Sequence, residues 1–186
     1  MEMLKTDLSL YDNSWYHPGA GSFKRTLWHF TNALIFNSSF FPVNGLKVFL
    51  LKLFGARIGK GVIIKPSVNI KYPWLLQIGE YTWIGENVWI DNLTDVKIGS
   101  NCCLSQGAML LTGNHNFKSR TFDLIVKPIV LEDGVWIGAR SLVAPGVTCY
   151  SHSVLAAFSF TSKDLDAFYI YKGNPAVKEK IREIGS

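Results

Sequence analysis

A six-residue period runs from Ile58 to about Phe160 and constrains the fold more than any other feature of the chain. Its clearest stretch is Ile78-Gly79-Glu80-Tyr81-Thr82-Trp83, then Ile84-Gly85-Glu86-Asn87-Val88-Trp89, then Ile90-Asp91. It resumes at Ile98-Gly99-Ser100-Asn101-Cys102-Cys103, Leu104-Ser105-Gln106-Gly107-Ala108-Met109 and Leu110. A third stretch starts at Leu131 and runs through Trp136-Ile137-Gly138 and Val143-Ala144-Pro145-Gly146-Val147. An aliphatic residue leads nearly every unit, Gly often follows it, and a small or β-branched residue comes four positions after the leader.

A helix needs apolar residues every 3.6 positions and a flat strand every 2. A period of six fits neither; it fits a short strand plus a sharp corner. The leader and the small residue two before the next leader then share one strand face. Three units make one triangular coil, and coils stack so that each side becomes a parallel sheet. The interior should receive Ile58, Ile78 and Ile98 on one side, Ile64, Ile84, Leu104 and Ile137 on the next, and Ile70, Ile90, Leu110 and Val143 on the third. So many leaders in phase argue against a β-sandwich with coincidental spacing.

The period breaks at one place in each coil. Ile70 to Ile78 and Ile90 to Ile98 are each two residues too long, and Leu110 to Leu131 is much longer. All three excesses follow the third unit of a coil, so they should pile up at one corner of the prism, where solenoids often carry a binding face. The largest is preceded by Thr112-Gly113-Asn114-His115-Asn116-Phe117.

With those residues in view, the chain resembles the hexapeptide-repeat acyltransferases, and within them the colanic-acid-biosynthesis acetyltransferases. The resemblance rests on Tyr11-Asp12-Asn13-Ser14-Trp15-Tyr16, on the Gly113-Asn114-His115-Asn116 stretch, and on Val135-Trp136-Ile137-Gly138. Pro145-Gly146-Val147, Ser162-Lys163-Asp164 and Gly173-Asn174-Pro175-Ala176 extend it over nearly the whole chain. It implies a left-handed parallel β-helix; period alone does not fix the hand, which runs against the usual right-handed crossover. It also implies a homotrimer with sites between subunits.

A chain of 186 residues allows one domain with a real core, and 48 % hydrophobic and 18 % charged content exclude disorder. The net charge of +5 suits an anionic ligand or surface but is too small to argue for nucleic acid. Cys102, Cys103 and Cys149 lack zinc spacing. Cys102 and Cys149 fall at inward positions, which suggests buried thiols in a reducing cytosol. No signal peptide and no membrane-spanning stretch is evident, so the expected location is cytoplasmic, with the inner face of a bacterial membrane as a further option.

Residues 1–57 are expected to form an extended segment and a helical cap. Phe23, Leu27, Phe30 and Leu34 recur at helical spacing over 22–36, and Val43 to Phe54 reads as a second helix ended by Gly55. Such helices would cover one end or flank of the prism and block strand edges. The alternative is a basic amphipathic surface over 22–54 that rests on a membrane. The prism should span 58–171, with a loop at 116–130, and a short helix should close the tail over 172–186, carrying Lys178, Lys180 and Arg182.

Among His17, His29, His115 and His152 no pair has metal-ligand spacing, so no metal is expected. His115 differs from the others in sitting beside Gly113 and Asn114 at the base of the long insertion. The resemblance makes it the general base, and a neutral imidazole can take the proton of a sugar hydroxyl as that oxygen attacks a thioester. The donor implied is acetyl-CoA. Gly138, Ala139, Ala156 and Ala157 are small residues along which its pantetheine arm would lie, with Ser162, Lys163 and Lys180 nearer its phosphates. Members of the family usually carry Gly where Phe158 stands, Thr where Ser162 stands and a basic residue where Val177 stands. Asp91, Asn92 and Asn114 are candidates for contact with the acceptor. The readings in competition are an O-acetyltransferase acting on a sugar of a surface polysaccharide, a non-catalytic β-helix scaffold, and a β-helix carbonic anhydrase. The last would need several histidine ligands that the chain lacks.

Overall fold

The computed structural model describes residues 4–185, and within them the period is a parallel β-solenoid of about six turns. The first face stacks Arg57–Ile58, Leu76–Ile78, Val96–Ile98, Ile129–Leu131 and Thr148–Cys149. The second stacks Ile63–Ile64, Trp83–Ile84, Cys103–Leu104, Trp136–Ile137, Val154–Leu155 and Tyr169–Gly173. The third stacks Asn69–Ile70, Trp89–Asp91, Met109–Leu111, Leu142–Val143 and Phe160–Thr161. Leaders pair with leaders: Ile58 with Ile78, Ile84 with Leu104, Ile90 with Leu110. The leaders and the small residues four positions after them are buried together, Thr82, Val88, Cys102, Ala108, Val135 and Ser141 among the latter. Burial of one leader and one small residue per unit is what a triangular cross-section can hold, and it explains the period.

Two corners are tight turns made by one residue with positive φ. Tyr81, Asn101 and His152 turn the first, and Asn87, Arg140 and Phe158 the second. The third corner carries all the insertions, as the breaks in the period imply. The longest is a hairpin in which Gly113–His115 pairs antiparallel with Leu124–Val126. The stretch expected as loop 116–130 is loop and turn except for the hairpin's second strand and the start of the next coil, and His115 ends a strand.

The first coil has no predecessor to pair with, and the N-terminal helices take that place. Helix α1 (Ser22–Thr31) continues into a wider turn, Asn32–Phe36, and helix α2 (Asn44–Leu53) follows. Trp28 Nε1 donates to the Ile70 carbonyl at 2.9 Å. Asn32 Oδ1 accepts from Ile70 N. Asn44 makes a pair of bonds, donating to Val62 O at 3.0 Å and accepting from Ile64 N at 2.7 Å. Lys47 is fully buried and donates to Lys65 O, and desolvation pulls its ammonium below the usual lysine range. These side chains replace the backbone partners of a missing coil, so the helices cap the end of the prism.

The tail differs from expectation. Ala176–Ile181 is a strand, antiparallel to Tyr169–Gly173, where a helix over 172–186 was expected. Ala, Lys and Glu favour a helix locally, but the edge of the last coil offers a row of unpaired backbone groups, and Gly173 at φ 103 turns the chain back onto it. Lys178 fixes the strand by reaching Asp166 at 2.7 Å and lying 3.5 Å above the Tyr169 ring.

Candidate active site

The extended segment before α1 runs along the third corner and ties its insertions together. Asp7 N donates to Arg120 O and the Asp7 carboxylate pairs with the Arg120 guanidinium, at the tip of the hairpin. Tyr16 Oη donates to Leu93 O at 2.7 Å, and Trp74 Nε1 donates to Pro18 O at 2.6 Å. Burial raises the Tyr16 phenol, which stays protonated to donate that bond. This segment also brings Tyr11 to His115, with ring centroids 5.7 Å apart.

His115 is held on several sides. Its ring stacks on Phe122 at 4.5 Å with planes 8° apart. Its Nδ1 lies 2.9 Å from the Phe122 carbonyl. A carbonyl oxygen only accepts, so Nδ1 carries a proton, and in the neutral ring the lone pair is then on Nε2. Phe122 sits in the left-handed region at φ 52, which aims that carbonyl back across the hairpin. Asn114 is exposed, and its Oδ1 accepts from His115 N at 2.8 Å, which steadies the strand end and leaves its amide NH2 free of protein partners among the described residues. His115 is thus fixed between Tyr11 and Leu124, two residues that line a cleft.

That cleft opens beside the hairpin and is lined by Tyr11, Tyr16, Arg25, Lys71, Tyr72 and Leu124. A neighbouring cavity of about 340 Å³ continues from Arg25, Lys71 and Tyr72 to Asp91, Trp89 and His29. Asp91 faces it and pairs with Lys71 at 3.0 Å. Asn92 does not face it. It is fully buried, accepting from Tyr72 N at 3.0 Å and donating to Tyr72 O at 2.6 Å, so both ends of its amide are used and acceptor contact is excluded for it. Tyr11, Arg25, Lys71 and Phe122 were not singled out from the sequence. The Tyr11 stretch stood out only as a point of resemblance, and what joins it to His115 is tertiary.

The residues expected along the donor's pantetheine arm lie elsewhere. Gly138, Ala139, Ala157 and Phe158 are at the second corner, whereas His115 projects from the third, so one chain does not bring them together. Gly138 is buried, and a Cβ there would come within 2.5 Å of Ala157 N, so the next coil stacks directly on it and it offers no open surface to a cofactor. Ala157 is exposed and Ala139 half-exposed, and they leave the surface flat. Phe158, at φ 57, points out at the corner, 69 % exposed, with the Arg140 guanidinium 5.8 Å from its ring. Ser162 and Lys163 are exposed at the third corner of the last coil, and Lys180 is exposed on the terminal strand. Among the described residues no group of His, Cys, Asp or Glu could hold a metal ion.

No family model matches the chain. It is 41 % identical over 159 residues, covering 86 % of this chain and 87 % of the other, to a protein of Escherichia coli K12 named as a colanic acid biosynthesis acetyltransferase, WcaF. It is 30 % identical over 138 residues to the galactoside O-acetyltransferase of the same organism, covering 73 % of this chain and 67 % of that one. Among solved structures, the hexapeptide-repeat acetyltransferase VCA0836 of Vibrio cholerae in complex with acetyl coenzyme A superposes with a TM-score of 0.79 at 25 % identity, covering 89 % of this chain and 92 % of that one. A galactoside acetyltransferase in complex with coenzyme A gives 0.76 at 26 %, covering 87 % and 82 %. With the coil, the hairpin histidine and these relatives together, the chain belongs to the hexapeptide-repeat acetyltransferases, the left-handed parallel β-helix enzymes that its sequence resembles.

Proposed function

We propose that the protein transfers an acetyl group from acetyl-CoA to a sugar hydroxyl in the biosynthesis of a surface polysaccharide, an exopolysaccharide, capsule or O-antigen, with His115 as general base. The observation that carries this is the 2.9 Å contact between His115 Nδ1 and the Phe122 carbonyl. With Nδ1–H on the Phe122 carbonyl, the neutral ring keeps Nε2 as its acceptor, next to the cleft residues Tyr11 and Leu124. The acceptor hydroxyl gives its proton to Nε2 as its oxygen adds to the thioester carbonyl. The tetrahedral intermediate collapses, the C–S bond breaks, and the imidazolium returns the proton to the departing thiolate. No acyl-enzyme is formed, so no nucleophilic side chain is required.

The acceptor fits the cleft of Tyr11, Tyr16, Tyr72, Arg25 and Lys71, with Asp91 and the Asn114 amide as partners for hydroxyls. Aromatic faces suit a sugar ring, and Arg25, with Lys71 already paired to Asp91, is the cation that suits an acceptor bearing phosphate. The donor fits the flat track at Ala139 and Ala157, with Ser162, Lys163 and Lys180 toward its phosphates. Since His115 and that track stand at different corners, a complete site needs a second copy of the chain, which supports a homotrimer with sites between subunits. The place of action in this reading is the cytoplasm, and residues 22–54 are the part of the chain that would meet a membrane.

His115→Ala removes the base while leaving the hairpin backbone intact. Acetyl transfer to a panel of sugars should fall by roughly a hundredfold or more, with acetyl-CoA binding by calorimetry unchanged. A folded variant with undiminished turnover removes His115 from the mechanism, and no binding of acetyl-CoA by either protein points to a scaffold.

A further inference from the structure

The helices that cap the first coil carry a second surface. α1 buries Trp28 and α2 buries Lys47 and Leu51 against the prism. Their opposite sides are unusually apolar for a water-facing surface: Phe23 is 82 % exposed, Leu34 71 %, Phe40 93 %, and Leu27, Phe30, Phe49 and Leu53 are also exposed. These residues come from both helices and the turn between them, so the exposure is shared by the whole cap and is not an accident at one side chain.

The charge around this surface is one-sided. From Asn13 to Gly79 the chain has eight Lys and Arg and neither Asp nor Glu. The rest of the chain holds eleven Lys and Arg against all fourteen acids, a net charge of −3. The positive character of the protein therefore belongs to the capped end alone. Lys60 and Lys71 are offset by Glu80 and Asp91 of the next coil, and Lys47 is buried. Lys52, Arg57 and Lys65 have no carboxylate within ion-pairing distance among the described residues. Bulky apolar side chains beside cations that no acid neutralises match the interfacial zone of an anionic bilayer, where acyl chains take the rings and headgroup phosphates take the cations. No helix among the described residues is long and apolar enough to cross a membrane, so the contact would lie on the surface.

We infer that the N-terminal cap is a docking surface for an anionic lipid bilayer. The case for the patch stands on one chain. Its strength rests further on the proposed trimer, because three parallel prisms around one axis place three caps on one side, and linked weak contacts multiply. Docking would also orient the enzyme. Arg25 and His29 of α1 line the acceptor cavity, so the helix that meets the membrane is a wall of the acceptor site. An acceptor carried on a lipid would enter along that wall.

The test uses the full chain with vesicles of phosphatidylethanolamine and phosphatidylglycerol at about 3:1, against vesicles of phosphatidylcholine alone. The protein should co-sediment with the first and not the second, and rising salt should weaken the binding. A Phe23→Ser, Leu34→Ser, Phe49→Ser variant should lose at least about tenfold in vesicle affinity, while keeping its assembly state and its acetyl transfer to a soluble sugar. Failure of the unaltered protein to bind either vesicle overturns the inference. Equal binding to both overturns its anionic part, and dissociation of the triple variant into monomers overturns it by assigning the patch to subunit contact. The soluble-sugar assay keeps the question of catalysis separate, since docking without transfer would defeat the proposed reaction and leave the surface standing.

Discussion

Phe158 shows how one side chain can be legible as a departure and illegible in direction. An L-residue at φ 57 is strained by about 1 kcal/mol, and Gly at that corner would remove the strain. The ring repays little of it by burial, being 69 % exposed, yet it lies beside the Arg140 guanidinium and next to exposed Ala157. On our reading it stands along the corner as a platform for the donor and does not block the track. Phe158→Gly should therefore leave the unfolding free energy unchanged or raise it by up to about 1 kcal/mol, while weakening acetyl-CoA binding. Calorimetric titration of both proteins separates the readings, because tighter binding by the Gly variant would make the ring an obstruction. A second residue-scale prediction follows from the interior thiols. Burial raises Cys102 from 9.0 to about 11 and pushes Cys149 up as well. A raised acid favours its neutral form in the fold. Its contribution is complete below the unfolded thiol value and is lost as pH rises through the folded one. Urea midpoints under reducing conditions should therefore hold to about pH 9 and then fall, with a shallower fall in Cys102→Ala.

At the scale of elements, the coils were legible because each places its own leader inward and repeats the signal about every twenty residues. The cap helices were legible for the same reason, in a different period. What the sequence hid was pairing with partners far along the chain. Asn92 looks like a corner residue facing a cleft, but its partners are the backbone groups of Tyr72 on the coil before. Gly138 looks like a track for pantetheine, but the coil above lies on it. Ala176–Ile181 has helical composition, and a strand edge took it instead. Asn44 belongs to the same group, since nothing in its neighbourhood announces that it closes the edge of the second face at Val62 and Ile64. Asn44→Ala leaves a carbonyl and an amide unpaired beneath α2 and should cost about 2 kcal/mol, read by chemical denaturation. Asn44→Asp, which can still accept from Ile64 N but cannot donate to Val62 O, should fall between the two. Equal stability of all three proteins would mean that water replaces the bonds and that the cap is held by Trp28 and Leu51 alone.

At the scale of the molecule, the question is whether a catalytic centre is made by one chain or two. On the proposed reading, His115 on the third corner and Ala157 on the second belong to two incomplete halves, and closed threefold symmetry would bring the half of one chain to the other half of its neighbour. The consequence can be measured without a structure of the assembly. His115→Ala destroys one half, and Ala157→Trp, at an exposed position, blocks the other. Each variant alone should form trimers of ordinary stability with little activity. When they are unfolded together in equal amounts and refolded, every mixed trimer has one junction at which an intact histidine faces an intact track. About a quarter of the unaltered activity should then return, since three quarters of random trimers are mixed and each restores one site in three. Refolding each variant alone should restore none. If the site lies within a single chain, the mixture will be as inactive as its components, and the assembly, whatever its size, will have no part in building the active site.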